Sequence, residues 1–560
     1  MISRDAALKS LASRSFDVLV VGGGITGAGV ALDAASRGYT VALVERHDFG
    51  CGTSSRSSKL VHGGLRYLQS FDLGLVREAL LERQINVHMA PNLVKPLKMV
   101  VPAFGDERPD RLVGVALNMY DGLALPTLRG ARKKRDGDEG PPEPGDWSPD
   151  RHREISGEDV SELLPALAKR QPTGGYLFYD CQTDDVRLVL TALEEACEWG
   201  AVVANRVNVT GLIESGGRAK GVTAVADGGE EFEIRAAHIV NATGVWADRL
   251  RPGELRTEAE VPRIRPSRGT HILLDADALP LEAGAIVPAG EGRSIFALPW
   301  LGRTLVGTTD NDYEAESLEN VPPPESDVDY LLNAVNEFFE CELTHEDVVG
   351  AFAGVRPLIA PAEGKKSVDI SRKAELYETS SGMITITGGK LTTWRHMAEM
   401  TVDRIVERDG AEAPCRTRDA AIGRWVAPDD LPRVEGVPSE SYEALATRYG
   451  KVAEDVLAVA AESGELAQPI VEGLGDILAE AVWAIREQQA TTLADVMLRR
   501  TRLALLAGRD SLQPDSEFVL RVAAAMAKEL GWSEDEVARQ IADYRAEAER
   551  EGVSVAALVD

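Results

Sequence analysis

The chain has 560 residues, more than one hydrophobic core usually supports, and its 44% apolar and 27% charged composition is that of an ordinary globular protein, so two or three cores are expected. With 61 basic and 90 acidic residues the net charge is −29, which argues against a general nucleic-acid binder and requires that any anionic ligand meet a local basic exception. The five cysteines, Cys51, Cys181, Cys197, Cys341 and Cys415, show no short spacing suited to zinc or a redox pair, so they read as free thiols in a reducing cytosol and no metal site is expected.

In chain order, residues 1–15 read as a short helical lead-in, and residues 16–21 form a Val-rich run suited to a buried parallel strand. Helix-period residues from Ile25 to Ser36 end at Arg37-Gly38, where glycine can cap, and residues 39–44 read as the second strand of a βαβ unit. Residues 108–125 are apolar with Arg108 and Arg111 at one end, a pattern of a core-facing helix more often than of one lying on a bilayer. The charged, Gly- and Pro-rich stretch 131–149 reads as a loop or surface insertion.

Strands follow at 201–209, in a hairpin at 224–232 and in a buried run at 237–240, and strand and turn signals alternate to about residue 309. From about residue 410 the texture changes to Ala, Leu, Glu and Arg at helical spacing over 475–489, 493–506, 517–530 and 533–549, which predicts a separate helical domain. Thr492 and Asp495 have the spacing of a capping box. No stretch reaches the apolar length of a membrane span, and residues 1–16 lack a signal peptide's apolar run, so a cytoplasmic protein, or one resting on the membrane from that side, is expected.

Gly22-Gly23-Gly24-Ile25-Thr26-Gly27 is a G-x-G-x-x-G sequence between a strand and a helix, and Glu45 closes the second strand. Gly22 suits the tight turn, Gly24 lets a pyrophosphate approach the helix start at Ile25, and Gly27 permits close helix packing, while Glu45 would hold a ribose. FAD and NAD share this fingerprint. The hydroxyl-rich stretch Cys51 to Lys59, with Thr53, Ser54, Ser57, Ser58 and Lys59, could wrap a second phosphate or a ribityl chain, and His62, Gly63 and Gly64 follow it.

Residues 53–68, TSSRSSKLVHGGLRYL, resemble the signature of FAD-dependent glycerol-3-phosphate dehydrogenases of the respiratory, aerobic type. In family order follow DCQTDDVRL at 180–188, NATGVW at 241–246, GTTD at 307–310, GVRPL at 354–358 and GGKLTT at 388–393. The resemblance implies an α/β Rossmann-like FAD-binding domain of the glycine and D-amino-acid oxidase class, a mostly antiparallel substrate domain and an all-α C-terminal domain. The corresponding division is 16–100, 176–265 and 350–405 for the FAD domain, 101–175 and 266–349 for the substrate domain, and 410–560 for the helical domain. It further implies noncovalent FAD, oxidation of sn-glycerol 3-phosphate, a membrane quinone as electron acceptor, peripheral contact with the cytoplasmic face of the membrane, and a homodimer.

Val207 falls where the family makes an adenine-side contact, and Gly244, Gly389, Leu391 and Thr392 lie in motifs that border the cofactor. The cations that the match brings are Arg66, Arg356, Arg372 and Lys390, of which Arg356 and Arg372 are expected to bind the phosphate. Arg66 and Tyr67 are expected near the reacting carbon. Lys390, at a helix start after residues 383–386, is placed to stabilise charge at the flavin pyrimidine end. His271 is the first candidate for the base that takes the alcohol proton. An oxygen-using oxidase is the main rival; the short interval between Arg356 and Lys390 lacks the insertion that family oxidases tend to carry, which favours a dehydrogenase. Loss of these cations would favour a non-catalytic flavin-binding subunit, and they are present; a D-amino-acid or sarcosine-type oxidase on the same fold would need a carboxylate-binding site, and fold analogy alone leaves that reading open.

Overall fold

The computed structural model describes residues 1, 3–68, 72–105, 109–135, 147–253, 255–290, 292–314, 317–360 and 373–554, without the side chains of 66–67, 125–135 and 258. Arg4–Ser13 is the lead-in helix, and Ser15–Val21 is the central strand of an eight-stranded sheet. Val41–Val44 and then Val202–Ala204 lie parallel on one side of it; Glu231–Asn241 and then Ile384–Gly388 lie parallel on the other. Val18, Leu19 and Val20 are fully buried, which is why this strand is an unbroken apolar run rather than an alternating one. The helix Ile25–Ser36 packs over the sheet between the helices Asp185–Glu198 and Trp394–Asp409.

A second, ten-stranded sheet is mostly antiparallel, with Ile264–Asp275 paired to Val348–Ile359 on one side and to Arg303–Gly307 on the other. The sequence division differs from the sheets at four strands. Leu60–Val61, Lys95–Ala103, Gly174–Gln182 and Val348–Ile359 hydrogen-bond into this second sheet, although the division groups residues 60–61, 95–100, 176–182 and 350–359 with the nucleotide-binding part. Apolar content could not separate them, because strands of both sheets are buried.

Three local expectations also change. Residues 201–209 are two strands, Val202–Ala204 and Val207–Ser215, because Arg206 turns through a left-handed conformation (φ 54°) with its side chain on Asp495 at 2.7 Å. Residues 131–135 continue the helix Arg111–Arg135 rather than opening a loop, and 136–146 lie outside the described residues. That helix buries Leu117, Tyr120 and Ala124 and leaves Leu112 and Val115 exposed at its start. Residues 493–506 are not one helix: a widened turn at Asp495–Arg500 gives way to Leu503–Leu506 through Arg502, which is also left-handed (φ 65°). The Thr492–Asp495 capping box is formed in both directions, at 3.2 and 3.0 Å.

The C-terminal helices, among them Ala479–Gln488, Glu517–Leu530 and Glu534–Arg550, share a core that also takes in Leu273, Trp300 and Phe352 of the second sheet. A buried ionic seam joins this domain to the first one. Asp48 receives Arg499 at 2.6 Å and Arg500 at 2.7 Å, while Asp185 receives Lys59 at 2.8 Å and also Arg502. Removing one member would strand a buried charge, so each is bound to the presence of its partners.

Candidate active site

A cavity of about 480 Å³ runs between the two sheets, and both ends are built from segments far apart in the chain. At one end are Gly22, Gly24 and Ile25. Gly22 is left-handed (φ 114°), and a side chain there would meet the Ala242 carbonyl oxygen at 2.6 Å. A β-carbon at Gly27 would collide with the Gly22 carbonyl, so Gly27 stands behind the cavity and lets the helix approach the strand. Gly24 begins the helix without a side-chain cap of its own; the Ile25 N–H is taken by the Ser54 hydroxyl, and the dipole of that end faces the cavity.

Glu45 accepts hydrogen bonds from the backbone N–H of Gly23 at 2.7 Å and of His47 at 2.9 Å, and burial pushes its carboxyl above the usual range. Its carboxylate therefore braces the glycine turn as well as bordering the cavity. Val207 lines the cavity and donates its N–H to the Glu45 carbonyl at 2.7 Å, which fixes the two cofactor-side strands to each other.

The hydroxyl-rich segment crosses the middle. Ser54 accepts from the Ile25 N–H at 2.9 Å, and Thr53 donates to the Val355 carbonyl at 2.6 Å, tying first and second sheets together. Ser57 lines the cavity but spends both its N–H and its hydroxyl on Asp185, at 3.0 and 2.7 Å. Lys59 is corrected as a cofactor ligand. Its ammonium is fully buried on Asp185 and the Ser55 carbonyl and lies 4.7 Å from the Phe352 ring centre; burial lowers it to about 8. Gly63 does not line the cavity either: its N–H is held by the Tyr120 hydroxyl at 2.8 Å, and left-handed Gly64 (φ 76°) turns the chain after it.

At the other end stand His62, Ser58, His271, Arg356 and Lys390. His62 is clamped by its backbone to the Thr392 hydroxyl. Arg356 lies among the Thr308 hydroxyl at 2.9 Å, the Thr309 carbonyl at 3.1 Å and the Asp310 carboxylate at 3.3 Å, and Gly269 supplies the space for its guanidinium. His271 lies within the strand Ile264–Asp275; it is buried, stacked on Phe352 at 4.8 Å, and bonded to Ser58 Oγ through Nε2 at 2.9 Å. Burial, then Lys59 and Arg356, hold its imidazole neutral, well below the usual histidine range.

Lys390 precedes the turn Leu391–Thr393, which leads directly into the helix Trp394–Asp409; Gly388 and Gly389 before it are both left-handed. Gly244, Gly389, Leu391 and Thr392 also border the cavity. Arg66 and Tyr67 lie in the short turn Leu65–Leu68, with side chains outside the described residues, as is all of Arg372. Sequence reasoning missed Arg46, Trp246, Arg249 and Arg251, which also line the cavity. A cation run next to the NATGVW motif was the available signal for the last two.

These residues fit FAD. A glycine cradle admits a pyrophosphate against an uncapped helix start, and the described lining sets Arg46, Arg56, Arg249, Arg251, Arg356 and Lys390 against the single acid Glu45 in a chain of net charge −29. Among the described residues there is no His, Cys, Asp and Glu group that could hold a metal ion.

Residues 17–404 match the FAD dependent oxidoreductase family, and residues 383–537 match the C-terminal domain of alpha-glycerophosphate oxidase. Glycerol-3-phosphate dehydrogenase 2 of Mycobacterium tuberculosis is 35% identical over 565 residues, spanning 99% of this chain and 91% of that protein. The crystal structure of glycerol-3-phosphate dehydrogenase from Bacillus halodurans complexed with FAD superposes with a TM-score of 0.75 at 30% identity, covering 98% of this chain and 97% of that one. L-alpha-glycerophosphate oxidase from Mycoplasma pneumoniae, at 16% identity, a TM-score of 0.53, and coverage of 74% of this chain and all of that one, shares the fold alone. A nucleotide cradle facing a cationic pocket, under a C-terminal helical domain of the matching kind, thus comes with full-length likeness: the chain belongs to the FAD-dependent glycerol-3-phosphate dehydrogenase family.

Proposed function

We propose that the protein oxidises the secondary alcohol of sn-glycerol 3-phosphate to dihydroxyacetone phosphate and passes the electrons to a membrane quinone. The observation that carries this reading is the convergence of Arg356, Lys390 and the Ser58–His271 pair at one end of a cavity whose other end is the dinucleotide cradle. Arg356, its fork oriented by Thr308 and Asp310, binds the phosphate together with Arg372. Arg66 and Tyr67 orient the glycerol carbons. Lys390 and the N–H groups that begin Leu391–Thr393 supply positive potential where negative charge develops. His271, kept neutral, receives the proton that the alcohol loses. Bound FAD supplies the two-electron acceptor for the hydride from the same carbon.

Two features support quinone over oxygen. Only residues 360–373 separate the strands Val348–Ile359 and Ala374–Glu378, a short interval, and the helix Arg111–Arg135 presents Leu112 and Val115 at the surface, a place for peripheral membrane contact. No helix among the described residues is long and apolar enough to cross a membrane. The test is anaerobic addition of sn-glycerol 3-phosphate to the purified yellow protein. Bleaching that a quinone reverses, with little peroxide formed in air, is the expected result. Peroxide in step with each turnover would make the enzyme an oxidase, and no bleaching would end the substrate assignment.

A further inference from the structure

The two nitrogens of His271 have different surroundings. Nδ1 is buried with no hydrogen-bond partner among the described residues, one ring face is covered by Phe352, and Gly307 lies at the Cδ2 edge, where a β-carbon would collide with the ring. Nε2 meets a single group, the Ser58 hydroxyl at 2.9 Å. Both residues line the cavity, but Ser58 is half-buried whereas His271 is 2% exposed, and the Ser58 hydroxyl occupies Nε2. A substrate hydroxyl in the cavity therefore meets the more open serine oxygen before it meets Nε2. Ser58 itself is held from both sides: Ser57 is bonded twice to Asp185, and Lys59 is buried on the same carboxylate, which Arg502 of the helical domain also grips. A hydroxyl that faces a cavity and is bonded to a nearly inaccessible imidazole on the same wall has the arrangement of a proton relay.

We propose that Ser58 is a catalytic residue that carries the proton of the substrate's alcohol to His271. The alcohol O–H bond breaks and its proton passes to Ser58 Oγ, while the serine's own proton passes to Nε2 to form an imidazolium. The adjacent C–H bond gives up its hydrogen and electron pair to the bound flavin, and the C=O bond forms. Charges and atoms balance with no further reactant. This inference rests on the reading of the pocket as an alcohol-oxidising site, and it requires that the resting imidazole carry its proton on Nδ1, leaving Nε2 to accept.

The holoenzyme labelled with 15N-histidine reports the tautomer directly, with the His271 signals identified by their loss in His271→Asn. An unprotonated Nε2 in the resting enzyme is expected; a protonated Nε2 would overturn the relay whatever the kinetics show. In parallel, anaerobic bleaching is timed for wild type, Ser58→Ala, His271→Asn and the double variant, each normalised to bound FAD. Loss of the relay should slow bleaching about 100-fold in each single variant, with the double variant no slower than the worse single. Wild-type speed in Ser58→Ala, or effects that multiply in the double variant, would refute the relay while leaving the substrate assignment intact. Failure of wild type to bleach would refute the substrate assignment, and the tautomer measurement would still decide the state of Nε2.

Discussion

The two ends of the cavity are made of different material. The cofactor end is backbone: glycine turns, an uncapped helix start, and a carboxylate that accepts two main-chain N–H groups. At the substrate end, side chains converge from strands and turns around Ser58, His271, Arg356 and Lys390. Backbone sites tolerate no added atom but make few demands on side-chain chemistry. Side-chain sites tolerate substitution structurally and lose one function at a time.

That contrast can be broken or sharpened by substitution. The largest effect is expected for Gly27→Val, whose β-carbon collides with the Gly22 carbonyl: the protein should purify without FAD, read as absent flavin absorbance. Next is Asp185→Asn, which leaves Lys59 and Arg502 buried without their shared carboxylate. A loss of about 3–5 kcal/mol is expected, seen as a lower unfolding temperature of the holoenzyme. Arg356→Ala comes third, with the Michaelis constant for glycerol 3-phosphate raised by about 100-fold, equivalent to about 2.7 kcal/mol, and FAD content unchanged. If FAD were lost along with substrate affinity, the two ends would not be separable.

The smallest effect concerns pH. His271 is held neutral in the folded protein, so below about pH 6.5 the unfolded chain takes up a proton that the folded one refuses, and stability falls as pH falls. The slope from this group is about 1.4 kcal/mol per pH unit. Unfolding temperatures of wild type between pH 7.5 and 5.5 should drop more steeply than those of His271→Asn.

Legibility in the sequence follows the same division. Gly22, Gly24, Gly27 and Glu45 could be read because their roles are local: a turn, a helix start and a strand end within one βαβ unit. The long helices Glu517–Leu530 and Glu534–Arg550 were legible from period alone. Lys59 was misread because nothing near it in sequence announces Asp185 or Arg502, which bury it. The membership of Lys95–Ala103 and Gly174–Gln182 in the second sheet was hidden for a similar reason, since pairing partners are set by distant strands. Arg356 and Lys390 could be proposed only through motif resemblance.

The ionic seam has a consequence for the order of events at the ribosome. The first strand and its glycine turn emerge early, and Lys59 is made before Asp185, but Asp48 stays without its ionic partners until Arg499 and Arg500 have been made. At ordinary synthesis rates of about 5–20 residues per second, the 451 residues from Asp48 to Arg499 take roughly 20 to 90 seconds. The nascent first sheet spends that interval without the arginines that Asp48 binds in the folded protein and, for most of it, without the strand Ile384–Gly388.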